Sequence, residues 1–164
     1  MISFGRNSTF MAAVLLVVFI LAGCGGAEER KAKYLERGKV YFEEENYDKA
    51  RVEFKNVIQI DPKSAGPYFY LGRIAEKEQE WRKAFGNYSK AVDLDPEYVD
   101  ARVHLGRFYV LTGEVDQADE QADEVLSKEP SNADALALKA TVLMRQEKEN
   151  ESVEILQQVL ESSP

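Results

Sequence analysis

Beyond residue 30 the chain is a succession of short amphipathic stretches whose apolar residues recur every three or four positions, as they do on helices that bury one face. Tyr34, Tyr41 and Phe42 form one such face; after a turn at Glu45-Asn46, the residues Tyr47, Ala50, Phe54, Val57 and Ile58 form a second. Asp61-Pro62 closes the pair, because proline pushes the residue before it out of helical geometry. The same order of helix, turn, helix and proline then returns along the chain. The segment up to Cys24 reads differently. Arg6 precedes an unbroken apolar run from Phe10 to Ala22, and no acid appears before Glu28. That run is short of the roughly 20 residues needed to span a bilayer core and reads as the apolar segment of a secretory signal.

One period, of 34, organises the remainder. It separates Gly38, Gly72 and Gly106, then Ala50, Ala84 and Ala118, and also Pro62, Pro96, Pro130 and Pro164. The first unit offers Tyr34, Gly38, Tyr41, Ala50, Phe54, Val57 and Pro62. The second offers Tyr68, Leu71, Gly72, Ala84, Tyr88, Ala91 and Pro96, and the third Leu105, Gly106, Tyr109, Ala118, Val125 and Pro130. This period and these residues resemble the tetratricopeptide repeat (TPR), over about residues 31–164. The resemblance implies an all-α fold, a right-handed solenoid of four helix-turn-helix hairpins at 31–64, 65–98, 99–132 and 133–164. A hairpin cannot bury both of its sides alone, so neighbours must stack. Small residues at Gly38 and Gly72 are expected to face Ala50 and Ala84 in the partner helix, with Phe54 and Tyr88 filling the groove beside that contact.

The departures carry expectations of their own. The third repeat has Arg102 in an aromatic's place and Ala122 where Phe54 and Tyr88 stand in the others, which predicts lighter packing. The fourth replaces Gly by Ala140, the preceding Leu by Lys139 and the second-helix Ala by Ser152, yet Leu136, Leu143, Leu156, Val159 and Leu160 keep the helical faces. No polar cap follows Leu160, whereas solenoids normally end in one. Either further repeats follow in a longer protein, or a partner or second copy covers the last helix.

In the resembled fold the first helix of each hairpin lines a concave groove through repeat positions 2, 5, 9, 12 and 13. Counted from residues 31, 65, 99 and 133, position 9 is Lys39, Arg73, Arg107 and Thr141, a basic ladder flanked by Leu35, Phe69 and Val103 at position 5 and Phe42 at position 12. The expectation is a partner peptide or helix in this groove, its carboxylates held by Arg73 and Arg107, whose forked guanidinium suits them, and its apolar side chains on Phe42, Phe69 and Val103. The competing reading pairs Arg73 and Arg107 with acids such as Glu76 and Glu43 on a solvated face. The carboxylate clamp of chaperone-binding family members is absent, since its places hold Leu35, Lys39, Tyr70, Asp100 and His104.

The residues Leu21-Ala22-Gly23-Cys24 stand at the end of the apolar run and use the only cysteine of the chain. They resemble the bacterial lipobox, which implies a signal peptide over 1–23, acylation of Cys24 and a tether over 24–30. Two or more acyl chains hold a protein durably on a membrane. Gly25, rather than Asp, follows the cysteine; by analogy with bacterial lipoproteins this implies the outer membrane, facing the periplasm.

Composition then narrows the function. The net charge is −8, and removal of the segment before Cys24, whose only charge is Arg6, would make it more negative still. Nucleic acid needs a basic face, so it is not an expected partner. With one cysteine and one histidine, His104, the chain has no Cys/His metal set and no Cys-His dyad. No nucleophile, base and orienter occur together, so no catalytic residue and no cofactor are expected. His104 and Trp81 read as packing residues, and Glu43-Glu44-Glu45 as a solvated helix end. The expected function is a membrane-anchored interaction scaffold of the bacterial cell envelope. Alternatives are an assembly or export factor for pili, secretin or exopolysaccharide, the repeat part of a longer protein, and a self-associating structural element.

Overall fold

The computed structural model describes residues 26–162; the signal segment, Cys24 and Pro164 lie outside them. All regular structure among the described residues is α-helical. Helix α1 covers 26–43, followed by α2 (Tyr47–Ile60), α3 (Ala65–Lys77), α4 (Trp81–Leu94), α5 (Val99–Thr112), α6 (Val115–Leu126), α7 (Ala133–Arg145) and α8 (Glu149–Ser162). The chain divides between Pro62 and Lys63 into two compact units. The first holds α1 and α2. In the second, α3 packs on α4, α5 on α6 and α7 on α8, and successive hairpins meet through α4 with α5, α6 with α7, and α5 with α7.

The turns within the hairpins share one backbone device. Glu45, Gln79, Gly113 and Glu147, one per repeat, all have positive φ (56°, 61°, 84° and 61°). The amide after each reaches back to a carbonyl five positions earlier: Asn46 to Tyr41 at 2.8 Å, Glu80 to Ala75 at 2.8 Å, Glu114 to Tyr109 at 2.8 Å and Lys148 to Leu143 at 2.9 Å. These are Schellman closures, in which a left-handed residue lets the last helical carbonyls find donors. Only Gly113 announces this in the sequence. Asn46 also begins the next helix, its side chain accepting from the Lys49 amide at 3.3 Å.

Proline sets the ends of α2 and α4 but not of α6. Asp61 and Asp95 each precede a proline and are extended (φ −137°, ψ 90° and φ −138°, ψ 92°), which stops α2 and α4. Helix α6 is shorter than either, because Ser127 already caps it ahead of Pro130.

The atoms nearest the first two repeated glycines belong to aromatic rings. A Cβ on Gly38 would lie 2.6 Å from the Phe54 ring, and one on Gly72 would lie 2.7 Å from the Tyr88 ring. Phe54 and Tyr88 are fully buried, so each ring lies flush on the opposite helix backbone where glycine leaves room. Ala50 and Ala84 are buried in the same hairpins. Lighter packing in the third repeat does not materialise. Above Gly106 the nearest atom is Leu138 Cδ2 of α7, which would be 2.4 Å from an added Cβ. Ala122 packs in one cluster with Leu138, Val110 and Val142, so the next hairpin supplies the volume that the missing ring leaves open. Arg102 is largely buried and replaces the absent aromatic with bonds, donating to Pro96 O at 2.6 Å and Gln121 Oε1 at 2.8 Å.

Polar substitutions in the fourth repeat are likewise accommodated. The buried Ser152 hydroxyl donates to Ala140 O at 2.9 Å, satisfying a group that would be costly to bury alone. Lys139 bridges Asp119 at 2.6 Å and Asp123 at 2.7 Å. Burial pulls its pKa down, but the hydrogen bonds it donates to the two aspartates outweigh that and leave it raised. Leu136 and Leu143 of α7 are buried, whereas Leu156 and Leu160 of α8 stay in solvent.

Candidate functional site

In the second unit, first helices α3, α5 and α7 carry repeat positions 9, 12 and 13 at the repeat interval. Two polar links tie these helices together. Between α3 and α5, Glu76 Oε2 accepts the Tyr88 hydroxyl of α4 at 2.5 Å and faces His104 Nδ1 at 3.1 Å. An ionised carboxylate only accepts, so Nδ1 carries the hydrogen. The His104 ring stacks on Tyr88 with centroids 4.9 Å apart, and Phe69 meets it edge-on at 5.6 Å. The Glu76 carboxyl is held down at about 2, first by the hydrogen bond from His104, against the opposing effect of burial, and further by the Tyr88 hydroxyl and the nearby charge of Arg107. Burial, then Glu76, push the Tyr88 hydroxyl well above the usual phenol range. Between α5 and α7, Arg107 Nη2 donates to Asp134 Oδ1 at 2.6 Å.

The expected groove residues separate into two groups. Phe69 and Val103 are 4% and 3% exposed, so they cannot offer a surface to a partner. Phe69 packs against Tyr70, Tyr88, Tyr98 and His104, and Val103 against Val125 and Ala135. Position 5 on these helices therefore points inward, a correction to their assignment as contact residues. Phe42, in the first unit, is buried too, while Leu35 and Lys39 are half-buried. The basic positions remain at the surface: Arg73 is half-buried, its guanidinium 5.9 Å from the Phe69 ring centroid, and Arg107 is exposed and paired with Asp134. Thr141 is exposed, its hydroxyl donating to Ala137 O of its own helix at 2.8 Å.

Sequence reasoning also passed over apolar residues that stay in solvent. Leu111 is 73% exposed and Met144 60%, at positions 13 and 12, and Trp81, read as a packing residue, is 53% exposed while meeting Phe108 at 6.3 Å. The signal for Leu111 was its place in the row Lys77, Leu111, Arg145, which keeps the same period as the glycines.

Helical hairpins, each folded on a Schellman turn and stacked in the second unit, with glycines under aromatic rings in the first two, define a helical-repeat protein. Tetratricopeptide repeats occupy the middle of the chain: two models of that repeat match, one over residues 75–140 and one over 38–79. No curated protein matches the chain in sequence. Among solved structures, MamA is 26% identical, with a TM-score of 0.68 and coverage of 80% of this chain and 77% of its own. PilF of Pseudomonas aeruginosa is 22% identical, with a TM-score of 0.73, 83% of this chain covered and 62% of its own. YrrB, described as a TPR protein with an unusual peptide-binding site, is 22% identical, with a TM-score of 0.64 and coverage of 87% and 80%. TPR repeat proteins are in general non-catalytic scaffolds that bind peptide or protein partners.

Proposed function

We propose that the chain is a membrane-anchored scaffold of the bacterial cell envelope that binds a peptide or helix of another protein on the face of its first helices. The observation that carries the binding part is the exposed row of mixed apolar and basic side chains on α3, α5 and α7, set on helices that Glu76–His104 and Arg107–Asp134 lock to one another. A face carried on helices that are already packed and linked needs less reorganisation to recognise a partner, which reduces the cost of binding. Arg73 and Arg107 contribute charge to this face, while Phe69 and Val103 hold the helices in place beneath it.

The anchor rests on the lipobox resemblance at Cys24 and on the charge-free apolar run before it. Acylation of the thiol would fix the repeats near a bilayer, with the outer membrane facing the periplasm as the expected location. Two measurements test the reading. Capture from envelope extracts on the immobilised protein identifies the partner; charge reversal at Arg73 and Arg107 that left capture unchanged, with helicity intact, would remove those residues from the site. Replacement Cys24→Ser should release the protein from membranes and abolish incorporation of labelled palmitate; membrane retention in that variant would end the anchor proposal.

A further inference from the structure

Position 13 of the first helices forms a row that the internal ion pairs leave open. Lys77 is the last residue of α3, Leu111 the penultimate residue of α5 and Arg145 the last of α7. Each lies one helical turn past position 9, so the row runs beside Arg73 and Arg107 and shares their face. All three are exposed, and Met144, next to Arg145, adds a second exposed apolar side chain. Lys77 and Arg145 have no ion-pair or hydrogen-bond partner among the described residues, in contrast to Arg107, which Asp134 occupies. The cations of this row therefore have their charge unspent.

We infer that this row docks a partner segment in which a bulky apolar residue is flanked on both sides by carboxylates, the apolar residue on Leu111 and Met144 and the acids on Lys77 and Arg145. Charge complementarity selects the occupant. The order basic, apolar, basic along successive helices asks for acidic, apolar, acidic, and the overall charge of −8 makes an indiscriminate acidic surface a poor partner. Successive first helices are neighbours through Glu76–His104 and Arg107–Asp134; with about 10 Å between neighbours, Lys77 and Arg145 are on the order of 20 Å apart, which an extended peptide spans with about six residues. The inference deepens the scaffold reading and rests on it.

The test uses the full chain in detergent and a fluorescent heptapeptide with glutamate at each end and leucine at its centre. The expected result is saturable binding that weakens at least tenfold with Lys77→Glu and Arg145→Glu together, and at least fivefold with Leu111→Ser, while circular dichroism is unchanged. Peptides with central alanine or terminal glutamines should bind at least fivefold more weakly to the wild type. Absence of peptide binding, or equal binding of the alanine peptide, overturns the inference. So does a row that instead mediates attachment to phosphatidylglycerol vesicles or concentration-dependent dimers, read as loss of either with Leu111→Ser. Capture of an envelope protein that persists through these substitutions but fails on reversal of Arg73 and Arg107 would refute this row and leave the scaffold reading standing; loss of all capture by the wild type would remove both.

Discussion

The Tyr88 hydroxyl of α4 and the Glu76 carboxylate of α3 meet at 2.5 Å, on the same oxygen that faces His104 of the next hairpin. One carboxylate thus closes its own hairpin and latches the following one. A hydrogen bond to an ionised group contributes about 1.5–3 kcal/mol when buried, but Glu76 is 38% exposed and solvent screening brings the expectation down to about 1 kcal/mol. Tyr88→Phe keeps the ring over Gly72 and should cost that amount in urea unfolding, whereas Tyr88→Ala, which also empties a fully buried site, should cost about 3–5 kcal/mol.

The same latch gives a pH dependence whose sign is fixed. The folded carboxyl is depressed to about 2 from an ordinary 4.5, so its stabilisation is fully present above about pH 4.5 and is lost as the pH falls toward 2. Glu76→Gln should therefore be less stable than wild type at neutral pH, and the gap should close between pH 4.5 and 2. Unfolding curves of the two proteins across that window check it.

Leu138 and Ala122 form an exchangeable pair. Ala122→Phe, which restores the ring found at positions 54 and 88, should collide with Leu138 over Gly106 and cost about 1–3 kcal/mol. Combined with Leu138→Ala it should recover much of that loss, giving a coupling energy of about 1 kcal/mol or more in a double-mutant cycle.

The left-handed turn residues should respond in opposite directions. Gln79→Gly and Glu147→Gly relieve a side chain at φ 61° and should stabilise by up to about 1 kcal/mol, while Gly113→Ala should destabilise by about 1 kcal/mol. Thermal or urea unfolding of the single variants checks both signs.

Sequence alone determined the number and spacing of the helices. A constant period in glycine, alanine and proline, combined with helical apolar patterning, leaves little freedom in local structure, and the prolines after Asp61 and Asp95 mark helix ends that the backbone obeys. The address proposed for Cys24 and the run before it rests on short contiguous sequence alone. Only the tertiary structure decided what each repeated position touches. The Tyr88 ring lies nearest Gly72, Leu138 fills the space above Gly106, Phe69 and Val103 turn inward, and Arg107 pairs with Asp134. Each of these depends on the rotation of one helix against its neighbour by a fraction of a turn. The pattern of apolar residues fixes which stripe is buried, but the packing of particular side chains sets that angle, and with it which residues at the stripe's edge are left for a partner.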